Sequence, residues 1–291
     1  MIFNTTKNFM LSALRREGFD ENTDALKFGA RNQKLGNIIT ISLPAGHSCP
    51  FAKDCLSCSV LKSTRKTSNK ESLQHKPCGF GIQDGPNTKF RCFTAIDEVL
   101  RPHVRRARWH NFLLLLAACR RKLPAVVELI ESSLPPARFN IPTRIHVAGD
   151  FFSQVYFDAW LTVARAHPDR LFYGYTKALP FWVKRLNSIP ANFRLTASVG
   201  GTHDHLIEQY RLRSATVVSS LDEAVALGLP VDHDDSHAYG TGGDFALLVH
   251  GQQPAGSPMA KAWRKLIGQG MAGYGKQKVV RGKKVKASYF S

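Results

Sequence analysis

The stretch TRIHVAGDFFSQVYFDAWLTVARAHPDRLFYGYT (143–176) decides the fold. TRIHVA (143–148) is a short, apolar, β-branched run that ends at Gly149, and RLFYGYT (170–176) is a second such run. Between them, VYFDAWLTVARA (155–166) sets Phe157, Trp160, Leu161 and Ala164 at helical spacing. A strand, a helix and a strand in that order read as a β-α unit and a mainly parallel sheet.

The alternation continues downstream. FWVKRLN (181–187) is followed by the strand FRLTAS (193–198), which stops at a Gly-Gly turn. DHLIEQYRLR (204–213) reads as a helix, ATVVSS (215–220) as a strand, and LDEAVALG (221–228) as a helix closed by Gly228. DFALLVH (244–250) is a further strand, and SPMAKAWRKLIG (257–268) a further helix with Pro258 in its first turn. Upstream, NIITISLP (37–44) is one earlier strand, which makes about six in all. The expected fold class is α/β: a six-strand (β/α)6 partial barrel or open parallel sheet, with a cysteine-rich insertion after strand 1.

The insertion fills the gap between the first two strands. Residues 59–92 are polar and rich in Lys, Ser and Gly, and 94–134 look helical, with RWHNFLLLLAACRR (108–121) apolar in its middle and basic at both ends. The expected organisation is an N-terminal helical arm (1–36), a single α/β domain (37–268) that includes the insertion at 49–134, and a basic C-terminal tail (269–291).

Composition narrows the class. A hydrophobic fraction of 43% with 10% aromatics is that of a globular chain. The run FLLLLAAC (112–119) is too short to span a bilayer. MIFNTTKNFMLSALRREGF (1–19), with Lys7 inside its apolar residues, reads as a short helix rather than a signal peptide, so the cytoplasm is the expected compartment. A formal charge of +18 favours a polyanionic partner, DNA or RNA, over a membrane. Arg105, Arg106 and Arg108 in VRRARWH (104–110) mix cations with an indole as nucleic-acid surfaces do, and Lys283 and Lys284 lie in the basic tail.

CPFAKDCLSC (49–58) carries Cys49, Cys55 and Cys58, and Cys78 and Cys92 follow within the insertion. Cys119, in the apolar helix, reads as a small buried hydrophobe. Disulfides are disfavoured where thiols stay reduced. One close pair, one single and two widely spaced cysteines fit a zinc ribbon poorly. Iron–sulfur clusters accept irregular thiolate spacing, so a [4Fe–4S] cluster leads and zinc is the lesser alternative. Cys49, Cys55 and Cys58 would be ligands, with Cys92 or Cys78 as a fourth. His47 beside this loop reads as a backbone-bonded histidine, and DHDDSH (232–237) as a flexible acidic turn.

A cysteine loop after the first strand of a six-unit β/α array resembles the radical S-adenosylmethionine (SAM) superfamily. HVAGDFF (146–152) stands where that family carries its glycine-rich motif, YTK (175–177) ends the third strand, and TASVGG (196–201) the fourth. The resemblance implies Gly149, Asp150, Lys177 and Ser198 around a SAM cofactor, and three cysteines on a cluster whose open iron binds SAM for reductive cleavage. The chain departs from the family in its C-x5-C-x2-C spacing, in Ser57 where an aromatic residue is usual, and in AGDF without Glu and Pro. A narrower resemblance lies in KLGNIITISLPAGHSCPFAKDC (34–55), RIHVAGDFFSQVYFDAW (144–160), YTK and FRLTASVGG (193–201). These segments resemble the phage gene-product-88-type domain, which implies a phage or mobile-element context and a host cytoplasm. Two functions follow as expectations: a radical SAM-like iron–sulfur enzyme acting on nucleic acid or a nucleotide, or a non-catalytic nucleic-acid-binding protein stapled by a fully cysteine-ligated cluster or zinc.

Overall fold

The structure is a computed structural model that describes residues 2–29, 38–62, 79–137 and 141–271. In chain order, helix α1 (Ile2–Arg16) leads to strand β1 (Ile39–Ile41), then to an antiparallel hairpin of β2 (Ser57–Leu61) and β3 (Phe80–Asp84). Helices α2 (Phe93–Leu100), α3 (Pro102–Arg120) and α4 (Leu123–Ser133) follow. The alternating part comprises β4 (Thr143–Ile145), α5 (Gln154–Ala166), β5 (Phe172–Thr176), α6 (Leu179–Val183), β6 (Phe193–Ser198), α7 (His205–Tyr210), β7 (Ser214–Val218) and α8 (Leu221–Ala226). It closes with α9 (Ser236–Tyr239), β8 (Phe245–Leu248) and α10 (Pro258–Gly268).

The main sheet has six parallel strands in the order β1-β4-β5-β6-β7-β8, with Ile39 beside Thr143, Thr143 beside Phe172 and Phe172 beside Phe193. All six carboxyl ends therefore lie at one edge, and the turns after β1, β4, β5 and β6 gather there. The strand period of two divides the side chains between two faces. Ile41, Ile145, Phe172, Phe193, Leu195 and Ala197 enter the main core with Trp109, Leu114 and Ile130 from the helices. Thr40, Arg144, Tyr175, Ser198, Val217 and Leu247, one from each strand, line a cavity.

Helix α5 buries Phe157, Trp160, Leu161 and Ala164, the four positions its spacing picks out. Each large apolar side chain so buried stabilises the fold by about 1.5–3 kcal/mol. Its N-cap is Ser153, whose hydroxyl accepts the Tyr156 N–H at 3.2 Å. Helix α1 is part of this packing, since Met10 and Leu14 are buried in the main core. The helical stretch 94–134 divides into α2, α3 and α4 because Pro102 starts α3 and Lys122, at φ 73°, breaks the chain before α4. Among the described residues no helix is long and apolar enough to cross a membrane.

Candidate functional site at the carboxyl edge of the sheet

The cysteine stretch is positioned by main-chain bonds before any thiol is considered. Beyond β1, the Leu43 N–H pairs with Ala148 O at 2.8 Å, and a tight turn brings the Cys49 N–H to Gly46 O at 3.2 Å. Gly46 has φ +70°, and a Cβ there would stand 2.4 Å from the Cys58 sulfur. That glycine lets the Cys58 thiol press against the turn that launches Cys49. The loop then docks on the turn after β6. The N–H groups of Lys53 and Asp54 both reach Gly200 O, at 3.2 and 2.9 Å, and the Thr202 N–H reaches Phe51 O at 3.0 Å.

Cys58 itself lies in β2, so the stretch read as loop-like ends as a strand. After the hairpin, Asp54 O accepts the N–H groups of Lys89 and Phe90, and Arg91 forms an ion pair with Asp84. These contacts deliver Cys92 to the N-cap of α2. Cys49, Cys55, Cys58 and Cys92 are free thiols. Burial pushes Cys49 far above the ordinary thiol range, helped by Asp150, Cys92 and Cys55. Burial lifts Cys55 to about 11 although the Lys177 ammonium pulls the other way, and Cys92 adds to the rise. Burial, Glu98 and Cys92 lift Cys58 to about 12. Cys92 thus acts on each of the other three thiols. Those three resist ionising, and a bound cation would reverse that preference. Among the described residues no group of three or more His, Cys, Asp or Glu is arranged to hold a metal ion. Cys78 lies outside the described residues. Cys119 belongs to α3, with its sulfur 3.8 Å from Ser153 Oγ.

Gly149, at φ +86°, is required by close approach: a Cβ would stand 2.5 Å from Ser48 Oγ and 2.6 Å from Leu43 Cβ. Asp150 is buried and accepts from Thr176 Oγ1 at 2.6 Å, the Lys177 N–H at 2.8 Å and the Phe151 N–H at 2.7 Å. Burial raises its pKa to about 6 against the pull of those donors. Lys177 Nζ donates to Ser198 O, Ser198 Oγ and Val199 O at 2.9, 2.6 and 2.9 Å. Gly149, Asp150, Lys177 and Ser198 thus do come together at one edge, and they tie the ends of β4, β5 and β6 to one another.

The arginines of α3 are engaged by the chain itself. Arg105 donates to Glu98 O and lies 3.7 Å over the Phe80 ring. Arg106 pairs with Glu17 at 3.2 Å. Arg108 is buried and donates to Glu98 Oε1 at 2.9 Å and Thr94 O at 2.7 Å. Lys283 and Lys284 lie outside the described residues. Glu98 escapes the sequence reading, yet it is fully buried, accepts the Ala45 N–H at 2.9 Å and so holds the cysteine turn to α2. Its position on an apolar helix opposite the buried Arg108 is a tertiary fact with no local signal. His47 bonds Ser59 O at 2.9 Å, as its sequence setting suggests. The DHDDSH stretch is not a free acidic turn. Asp235 is buried with Arg144 and accepts from Tyr173 Oη at 3.0 Å, so the interior face needs its charge.

Beside the cysteines a cavity of about 830 Å³ takes side chains from all six strands and from the first half of α3. Cys55 and Cys92 form part of its wall, with Lys177 and Ser198. The gene product 88 family matches residues 13–267. The chain belongs to that family. No curated protein and no solved structure matches it. In this gene product 88 protein the matched span takes in the whole six-stranded sheet, the cysteine stretch and the cavity wall.

Proposed function

We propose that this gene product 88 protein holds an iron–sulfur centre, a [4Fe–4S] cluster with zinc as the lesser alternative, on Cys49, Cys55, Cys58 and Cys92. The observation that carries the reading is electrostatic. Cys92, brought in from another segment, lies within charge range of each of the other three, and all three are raised by burial. Three such thiols with Cys92 beside them fit a cationic centre that takes thiolates, and the side chains would turn toward one point on binding. Such a centre would supply redox poise and would staple the hairpin and α2 to the carboxyl edge of the sheet. The protein's own residues do the rest: Asp54 and Glu98 hold the two cysteine segments together, and Asp150 and Lys177 fix the strand ends beneath them.

The leading role is that of a nucleic-acid-binding protein stapled by a fully ligated centre, in a reducing compartment such as a host cytoplasm. The charge of +18 supports the polyanionic partner. A radical SAM-like enzyme is the second reading, favoured by one observation: Cys55 and Cys92 face the cavity, so a ligand there would reach the centre. That reading includes curvature of the sheet into a partial barrel, which a cavity lined by all six strands supports.

Anaerobic purification with iron, sulfide and zinc analysis tests both. Iron and sulfide in the intact chain, lost in Cys92→Ala, are expected. Zinc without iron sinks the cluster, and no metal sinks the centre. A cluster that survives Cys92→Ala and changes its EPR spectrum with SAM favours the enzyme.

A further inference from the structure

The cavity beside the cysteines has a chemistry of its own. Its volume, about 830 Å³, is within the range that encloses a single small ligand. Part of its wall is aromatic, formed by half-buried rings. Phe93 and His250 pack with ring centroids 4.2 Å apart, and the Arg144 guanidinium lies 4.9 Å over Tyr175. Other cations of the wall are already matched: Arg91 by Asp84, Arg108 by Glu98, and Lys177 by Ser198.

The rim differs. Lys27, Arg101 and His103 line it and are exposed. Among the described residues the Arg101 side chain is held by Asp97 at 3.0 Å, and it is 59% exposed. An exposed pair of that kind contributes little and exchanges readily for a better anion. Lys27 is set at the rim by the chain: Asn111 accepts the Lys27 N–H at 2.7 Å and donates to Lys27 O at 2.9 Å.

We propose that this cavity binds a nucleoside phosphate, with the planar base against the aromatic wall of Tyr175, Phe93 and His250 and the phosphate at the rim on Lys27 and Arg101. Aromatic faces accept any base, and a guanidinium fork matches a phosphate. The inference goes beyond the cysteine centre and does not rest on it: no named contact of the nucleotide is a cysteine, although Cys55 and Cys92 share the cavity wall. The phosphate could belong to a free nucleotide or to the 5′ end of a strand, since both present the same group.

Isothermal titration of the full chain with ATP, AMP, adenosine, inorganic phosphate and a 5′-phosphorylated dinucleotide tests it. A nucleotide is expected to bind at least tenfold more tightly than adenosine and than phosphate alone. Tighter binding of the dinucleotide than of AMP assigns the source to a strand end, and the reverse assigns it to the free nucleotide. Lys27→Ala and Arg101→Ala should each weaken binding about tenfold, while Lys261→Ala, exposed on α10 and outside the cavity lining, leaves it unchanged. Circular dichroism of each variant checks folding. Binding in Cys49→Ala, whose side chain does not line the cavity, should persist within about threefold, so loss of metal and loss of nucleotide are separate results. No nucleotide binding, binding indifferent to Lys27 and Arg101, phosphate alone binding as tightly, or binding lost with Cys49 would each overturn the inference.

Discussion

His146 shows what a buried titratable group does to this fold. It sits at φ 67° just beyond β4, is 3% exposed, and bonds Tyr156 Oη at 3.0 Å through Nε2. Burial, then the Arg144 charge, lowers its pKa from 6.5 to about 3. The folded state therefore keeps it neutral while the unfolded chain takes up a proton below about pH 6.5. The unfolded state binds more protons in that window, so stability rises with pH there. The contribution is fully present above pH 6.5 and drains away as pH falls toward 3. At pH 5 the loss is roughly 2 kcal/mol. His146→Asn keeps a residue that tolerates positive φ and removes the titration. Urea unfolding at pH 7 and pH 5 should show a gap about 2 kcal/mol smaller in the variant than in the parent. Equal gaps would mean that His146 is not the proton acceptor. Glu98 is the complementary case. Burial raises its pKa, yet Arg108 and the Ala45 N–H hold its charge at the back of the cysteine turn.

At the scale of elements, the turn after β6 is the seat of the cysteine loop. Gly200 has φ +98°, and a Cβ there would stand 2.9 Å from Asp54 Cβ. Gly200→Ala adds backbone strain and pushes away the loop that Gly200 O anchors. A cost of about 2–4 kcal/mol in urea unfolding is expected, with metal uptake reduced in parallel. Gly242→Ala, which meets nothing within 4 Å and has no positive φ, should change stability by less than about 0.5 kcal/mol. If the two variants unfold alike, the docking of the loop on Gly200 does not matter. The strand-helix alternation from Thr143 onward was readable because each parallel strand is a short apolar run set between periodic helices. The hairpin was not readable. Half of it lies at Phe80–Asp84 inside a polar tract, and its partner Ser57–Leu61 is hidden by Cys58 within it. Helix α9 was missed for a related reason: Asp235 looks like a solvent residue until Arg144 and Tyr173 are seen opposite. Of the candidate site, the spacing of Cys49, Cys55 and Cys58 was visible locally. Cys92 was a candidate fourth beside Cys78, but its placement was not legible, because it depends on the Lys89 and Phe90 N–H bonds to Asp54 O, distant in sequence.

At the scale of the whole molecule, the charge of +18 is spread unevenly. The cations of α3 on which a nucleic-acid face was expected are largely spent: Arg105 and Arg108 serve Glu98, and Arg106 pairs with Glu17. The segment 272–291 holds six Lys and Arg and no acidic residue. If the proposed polyanion is nucleic acid, this segment carries much of the contact, and ending the chain at Met271 separates it from the folded site. Each phosphate contact contributes about −0.9 to the slope of log K against log salt, so six contacts account for about 5. Fluorescence anisotropy with a short DNA duplex between 50 and 300 mM salt, concentrations chosen to span that response, should show a clearly shallower slope and weaker binding in the shortened chain. Arg106→Ala should change the slope by about one at most, the share of a single phosphate contact, because its exposed pair with Glu17 exchanges readily. Arg108→Ala should act elsewhere. It leaves the Glu98 carboxylate buried without its cation, which lowers the urea midpoint and leaves the salt slope of the folded protein unaltered. An unchanged slope after removal of 272–291 would place the nucleic-acid contacts on the folded domain instead, and the exposed cations of the cavity rim would then be the next to test.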